Sequence, residues 1–252
     1  MSPVSVIVPN RDMERYLPDA FASIERQRPA PEQVLLVDTG RPDASRGVVA
    51  SFRARGLAIE VITLPGANPA QARNAGLRAA AGDVIGFLDA DDLYPAGKLA
   101  AQLARLARPP RVDVVSGVVT WFDRLDPATL APAAEGRRES STGVQLGACL
   151  LRREVFERVG ELDETQHYSE DTDFLLRLLE AQVPLTVLRR EVLYYRRHPE
   201  SMMSRSDERK QRDFHRALAR SLKRRGAQGL RRELPRLADL LEPAPEPERS
   251  DA

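Results

Sequence analysis

Short apolar runs alternate with stretches of helical periodicity through the first half of this chain, and that alternation constrains its fold most. The runs are Val4 to Val8, Val34 to Val37, Ala58 to Thr63 and Val84 to Leu88. Each is short and largely apolar, which suits a strand packed on both faces. Between them, Leu17, Ala20, Phe21 and Ile24 recur at helical spacing to about Gln27, where Pro29 and Pro31 break the pattern. A second helix is expected over about Ser45 to Arg55. A third opens at Asn68-Pro69, an N-cap followed by proline at the first helical position, and runs to about Ala80. Its Ala72, Ala75, Gly76 and Ala79 are small enough to let a helix approach a sheet closely. Strand and helix in regular alternation predict an α/β chain with a doubly wound, mostly parallel central sheet flanked by helices.

The fourth run ends abruptly in acid, as Gly86-Phe87-Leu88-Asp89-Ala90-Asp91-Asp92. Ligands of open α/β sheets bind beyond the carboxyl ends of the strands. In extended chain Asp89 and Asp91 point the same way. Clustered carboxylates want a neutralising cation, and hard oxygen ligands suit Mg²⁺ or Mn²⁺ bridging to phosphate. A solvated acidic turn leading to a helix near Pro95 accounts for the same residues equally well.

Farther on, Leu99, Leu103 and Leu106 mark a helix closed by Pro109-Pro110, and Val112 to Val119 reads as a strand. Phe122 to Thr142 has no clear period and is expected to be an irregular loop. Gly147 to Leu151 reads as a strand and Val155 to Val159 as a short helix. Ser169-Glu170-Asp171-Thr172 then opens a capped helix with Phe174, Leu175, Leu178 and Leu179 as its apolar stripe. Leu185 to Leu188 and Val192 to Tyr195 are expected as two short strands. Beyond His198 basic residues dominate, with Phe214, Leu218 and Leu222 at helical spacing among them. Gly226 and Gly229 are expected to separate this helix from a second over about Leu230 to Leu241, before a disordered, Pro- and Glu-rich tail at 243–252.

Charge excludes little: 38 basic side chains face 37 acidic ones, a net +1 that gives no hint of nucleic acid. A single cysteine, Cys149, rules out an internal disulfide and fits a reducing compartment. No apolar run approaches the roughly 20 residues that span a bilayer. A basic region followed by an apolar core is missing from the N-terminus, which argues against a signal peptide. These features together predict a cytoplasmic protein.

Six segments in fixed order carry a resemblance. They are Val4-Ser5-Val6-Ile7-Val8-Pro9, Ala72-Arg73-Asn74-Ala75-Gly76, Phe87-Leu88-Asp89-Ala90-Asp91-Asp92, Gly160-Glu161-Leu162-Asp163-Glu164, Ser169-Glu170-Asp171 and Tyr195-Arg196-Arg197-His198. With these, the chain resembles a family-2 glycosyltransferase of the GT-A fold, the inverting class that uses nucleotide-diphosphate sugars. The resemblance implies a GT-A domain over 1–206, with a donor half at 1–111 and an acceptor half at 112–206, and leaves a basic helical extension at 207–242. It implies a Mn²⁺ or Mg²⁺ cofactor, and an acceptor that is a glycan or lipid-linked glycan.

Residue by residue, the resemblance places Pro9, Asp38, Thr39, Arg73, Asp89 and Asp91 on the nucleotide sugar, and Asp91, Asp92 and His198 at the metal. Asp171 matches the catalytic base and Glu170 a neighbour that contacts the acceptor. Many relatives carry two consecutive acids where this chain has Asp38-Thr39, so the nucleotide base stays open. The residues alone allow plainer readings. Asp38 suits a turn before Gly40, Arg73 a solvent-facing helix charge, Glu170 and Asp171 acids complementing a helix dipole, and His198 a surface histidine. Cys149 reads as a small packed residue; Trp121 and Tyr94 suit either sugar stacking or core packing.

The basic C-terminal helix reads either as a membrane-surface element at the inner face, with Phe214, Leu218 and Leu222 toward acyl chains, or as a helix packed on the domain. Scant aromatic interleaving argues against nucleic acid. Two rival functions are a non-catalytic nucleotide-sugar-binding module and a sugar nucleotidyltransferase. The latter would want a glycine-rich phosphate loop, and Asn10-Arg11-Asp12-Met13 has no glycine.

Overall fold

A computed structural model describes residues 2–41, 44–201, 208–227 and 234–242. The first four apolar runs form parallel strands β1 (Val4–Asn10), β2 (Gln33–Asp38), β3 (Ile59–Thr63) and β4 (Val84–Phe87). β1 pairs with β2 on one side and β4 on the other, and β2 with β3. Val6, Ile7, Val8, Leu35 and Leu36 are fully buried, because helices cover both faces. Those helices are α1 (Leu17–Glu25), α2 (Arg46–Ala54) and α3 (Pro69–Ala79). α3 begins as expected at Asn68, whose side chain accepts from the Gln71 N–H while Gln71 returns a bond to the Asn68 N–H. The close approach expected of α3 is realised at Gly76, where a Cβ would collide with Ile7 of β1 and lie 3.2 Å from Val37 of β2.

α4 (Lys98–Ala107) leads to β5 (Val114–Phe122), β6 (Leu125–Asp126) and β7 (Ala131–Pro132), then to β8 (Arg138–Gly143). Phe122 to Thr142 is therefore not irregular: β6 and β7 pair with each other, and β8 runs antiparallel along β5. β8 is exposed over Arg138 to Ser141 and shows no apolar alternation; its pairing rests on backbone bonds to β5, with the Thr120 and Ser140 hydroxyls 2.8 Å apart across the pair. A 3₁₀ turn (Leu146–Ala148) precedes β9 (Leu150–Arg152), which inserts antiparallel between β4 and β5.

α5 (Glu154–Val159) and α6 (Glu170–Glu180) follow, then β10 (Leu185–Arg196), parallel to β5. The two strands expected in this last region are one, irregular around Glu191, where exposed Arg189 and Arg190 interrupt the apolar pattern. The mostly parallel sheet has the order β10-β5-β9-β4-β1-β2-β3, with β8 on β5 beside β9.

The basic stretch forms α7 (Glu208–Ala227), which continues through Gly226, and α8 spans Leu237–Leu240. α7 packs on α6: Asp213, Ala217 and Ser221 are buried. Of the sequence expectations, the domain boundary at 206–207, the start of the second C-terminal helix near 230 and the tail at 243–252 lie outside the described residues. Among the described residues no helix is long and apolar enough to cross a membrane.

Candidate active site

The acidic segment leaves β4 at its carboxyl end, where Leu88 still donates to Ile7 of β1 before the chain turns. The turn is closed by the Asp92 N–H on the Asp89 carbonyl, 3.0 Å. Its far side is tied to β10: Leu93 and Tyr194 exchange both backbone bonds, and the Arg196 N–H donates to Asp92 Oδ1 at 2.9 Å. Asp92 is 3 % exposed, and burial, with Asp91 and Asp89 nearby, holds its carboxyl well above the ordinary range. Its observed contact seats the end of β10.

Asp89 and Asp91 have different partners, Arg73 and His198. Arg73, from α3, reaches Asp89 Oδ1 through Nη2 at 2.6 Å and Glu170 Oε1 through Nη1 at 2.5 Å. Its side chain is buried, not solvent-facing, and among the described residues its buried Nε has no hydrogen-bond partner. Burial opposes the charge on Arg73, but Asp89, Glu170 and Asp171 outweigh it and hold the guanidinium protonated. Burial also pushes Glu170 up to about 7; Arg73 pulls against that shift, while Asp171 and Asp89 add to it.

The residue before this pair, Ser169, departs from the expected cap. It takes a left-handed conformation (φ 59°) and its side chain makes no capping bond. That conformation is costly for a non-glycine residue and is retained where the surroundings dictate it. Here it turns the chain into α6 with Glu170 against Arg73. Asp171, on the more open side, accepts the Thr172 N–H at 2.7 Å.

On the other flank, His198 follows β10. Its Nε2 lies 2.8 Å from Asp91 Oδ2, its Nδ1 lies 3.0 Å from Glu200 Oε2, and the Tyr16 ring packs 4.4 Å from the imidazole. Tyr16 donates its hydroxyl to the same Glu200 oxygen at 3.0 Å. Hydrogen bonding to Asp91 raises the His198 value, against burial. Tyr16 and Glu200 escaped the sequence reading: Tyr16 stands in no motif, and Glu200 reads as an ordinary surface acid.

Two short segments are explained by what they clamp. Asn74, 1 % exposed, donates to the Leu162 carbonyl at 2.9 Å and accepts the Leu162 N–H at 3.0 Å. Asn68 donates to the Glu164 carbonyl at 2.8 Å. The Gly160 to Glu164 stretch is thereby fastened to α3, close to the helix that carries Glu170 and Asp171. Asp38 and Thr39 lie at the end of β2, two strands from β4. The buried Asp38 carboxylate accepts from Asn10 Nδ2, the Gly40 N–H and Ser45 Oγ, and Thr39 Oγ1 donates to the Asn10 carbonyl at 3.1 Å. Those contacts brace the ends of β1 and β2. Pro9 stands in β1 opposite Val37. Tyr94 and Cys149 are core residues, with the Tyr94 hydroxyl donating to the Phe87 carbonyl.

As a metal site the arrangement is partial. Among the described residues no three carboxylate, imidazole or thiolate groups converge to hold an ion. Asp91 and His198 do meet, offering one hard oxygen and one imidazole nitrogen. That pair fits an ion which takes its remaining ligands from phosphate and water, as Mg²⁺ and Mn²⁺ do.

The model of Glycosyl transferase family 2 matches residues 5–160. The chain belongs to that family. A curated relative, the uncharacterized glycosyltransferase EpsJ of Bacillus subtilis, is 29% identical over 216 residues, 79% of this chain and 62% of EpsJ. The UDP-Glc:alpha-D-GlcNAc-diphosphoundecaprenol beta-1,3-glucosyltransferase WfgD of Escherichia coli is 32% identical over 106 residues, 42% of this chain and 41% of its own. The chain thus spans less than two thirds of either relative. Among solved structures, the mannosyltransferase PcManGT of Pyrobaculum calidifontis, in complex with GDP-Man and Mn²⁺, superposes with a TM-score of 0.59 at 19% identity, covering 93% of this chain and 66% of that one. The fold is GT-A.

Proposed function

We propose that this chain is an inverting glycosyltransferase that moves a sugar from a nucleotide-diphosphate sugar to the hydroxyl of a glycan or lipid-linked glycan. The observation that carries this reading is the Arg73 bridge. One guanidinium joins Asp89, at the end of β4, to Glu170, next to Asp171. That contact supports the reading by bringing the carboxylate assigned to the sugar donor and the one assigned to the acceptor onto one cation.

In this reading Asp171 takes the proton of the acceptor hydroxyl as its oxygen attacks the anomeric carbon, on the face opposite the departing diphosphate. Glu170 contacts the acceptor and is kept in place by Arg73. Asp89 and Arg73 orient the nucleotide sugar, with Pro9, Asp38 and Thr39 shaping the nucleotide end. The orphaned Arg73 Nε is a donor for a bound anion. Asp91 and His198 would hold the divalent ion, which supplies positive charge against the diphosphate as it leaves. PcManGT, crystallised with GDP-Man and Mn²⁺, and WfgD, which is named for UDP-Glc and a diphosphoundecaprenol acceptor, support this class of substrates.

Calorimetry with UDP, GDP and dTDP, with and without Mn²⁺, tests the reading on the wild type and on Asp91→Ala. Metal-dependent binding of one nucleotide, lost in the variant, is the expected result. Absence of binding by the folded protein would overturn the donor-site assignment. Binding without sugar transfer or hydrolysis would favour a non-catalytic module.

A further inference from the structure

Helix α7 carries eight basic residues against two acidic ones, in a chain whose net charge is only +1. It is fastened to the domain by its small and charged residues. Ala217 and Ser221 are buried, Arg224 pairs with Asp173 at 3.0 Å and Glu180 at 2.6 Å, and Arg220 pairs with Asp163. Asp213 accepts the backbone N–H groups of both His167 and Tyr168, at 3.2 Å each. The first turns of α7 are therefore bonded to the segment that runs straight into Ser169, Glu170 and Asp171.

With the inward face filled in this way, the apolar residues are left outward. Phe214, Leu218 and Leu222 are 44%, 37% and 67% exposed. Their spacing of four residues aligns them on one side of the helix, in a stripe about 12 Å long at 1.5 Å per residue. An ordinary surface helix turns such a stripe inward. Arg212, Arg216 and Lys223 are exposed as well and fall about 140° farther round the helix, on its other flank, with His215 and Ala219 between the two lines. An apolar flank with a basic flank across the helix from it is the pattern of a helix lying in a lipid interface.

We propose that α7 is a membrane-docking helix, seated on the surface of an anionic bilayer with Phe214, Leu218 and Leu222 at the headgroup boundary and the long side chains of Arg212, Arg216 and Lys223 reaching back from the other flank toward lipid phosphate. Charge selects this occupant. A second copy placed α7 against α7 would bring together two helices that each carry eight basic residues against two acidic ones, whereas an anionic leaflet neutralises that charge. Docking there brings the segment that ends in Asp171 to the membrane, which gives the acceptor its class: a hydroxyl on a lipid-linked glycan. That last step rests on the proposed transferase reading; the docking itself does not.

The test is co-sedimentation of the full chain with vesicles of phosphatidylcholine alone and of phosphatidylcholine with phosphatidylglycerol. The wild type is expected to bind the anionic vesicles and not the neutral ones, and to release them as salt shortens the Debye length below about 5 Å. The triple variant Phe214→Ser/Leu218→Ser/Leu222→Ser and the double variant Arg212→Glu/Lys223→Glu should each weaken binding about tenfold or more. Both alter exposed side chains outside the cleft, so circular dichroism and nucleotide binding should stay unchanged. No binding of the wild type to anionic vesicles overturns the proposal, as does equal binding by the variants. So does a wild-type dimer that the triple variant dissociates, which would assign the stripe to a second copy. Nucleotide binding measured on the same samples separates the two readings: its loss with vesicle binding intact overturns only the donor site.

Discussion

Replacing Arg73 by alanine would remove the shared cation from Asp89 and Glu170 together. Glu170 is 7% exposed, so its carboxylate would be left buried beside Asp171 without a counter-charge. Breaking a buried pair from one side costs about 3–5 kcal/mol. Asp89 keeps 40% of its side-chain exposure and is screened by water, so the lower end applies, about 3 kcal/mol. The cost should also depend on pH. In the wild type the folded value of Glu170 is raised from 4.5 to about 7, so its share of stability is present at low pH and lost as pH rises through about 7. Without Arg73 the value climbs further, and the variant keeps Glu170 protonated at a pH where the wild type ionises it against the guanidinium. Each unit of pH above the wild-type value is worth about 1.4 kcal/mol, so the destabilisation should grow by about that amount between about pH 6 and about pH 8. Urea unfolding of wild type and Arg73→Ala at both pH values measures this directly, and the pH-dependent part should vanish on a Glu170→Gln background. A destabilisation below about 1 kcal/mol, or one indifferent to pH, would refute the reasoning.

Asp171→Asn should lower sugar transfer about 10²–10⁴-fold while nucleotide binding by calorimetry stays intact, because only the proton acceptor is lost. Asp213→Ala removes the two bonds that hold His167 and Tyr168. It should reduce kcat several-fold with little change in KM for the nucleotide sugar, and Asp213→Asn, which keeps an acceptor oxygen, should restore most of the loss in the same steady-state assay. Lys98 is fully buried, and burial pushes its value down from 10.5 to about 7, so unfolding takes up a proton between those values and the wild type loses stability as pH falls through that window. Lys98→Met has no such group; chemical denaturation should show its stability relative to wild type improving from about pH 10 to about pH 7.

β1, β2 and β4 were legible because Val4 to Val8, Val34 to Val37 and Val84 to Leu88 are buried on both faces and leave a nearly unbroken apolar trace. β8 left none: it is held by backbone pairing with β5 and by hydroxyl bonds such as Thr120 to Ser140, and its exposed side chains are Arg, Glu and Ser. The apolar pattern of β10 breaks into two short runs because Arg189 and Arg190 are exposed in the middle of the strand. At the site, the motif order pointed to Arg73, Asp89, Asp91, Glu170, Asp171 and His198, which do gather at one end of the sheet. That Arg73 would bridge two carboxylates is a fact of three dimensions, since its partners lie 16 and 97 residues away. The residue type of Ser169 suits a helix cap and gives no warning of a left-handed backbone.

The place of β9 in the sheet has a consequence for building chimeras. β9 belongs to the second half of the chain, yet it lies between β4 and β5 and touches both through backbone bonds. A recombinant joined near residue 111 would therefore exchange one wall of the seam along which its two parents must fit. Successful crossovers between relatives should carry β4 and β9 as one inherited block, with residues 68–79 and 160–164 travelling beside them because Asn68 and Asn74 knit those segments together.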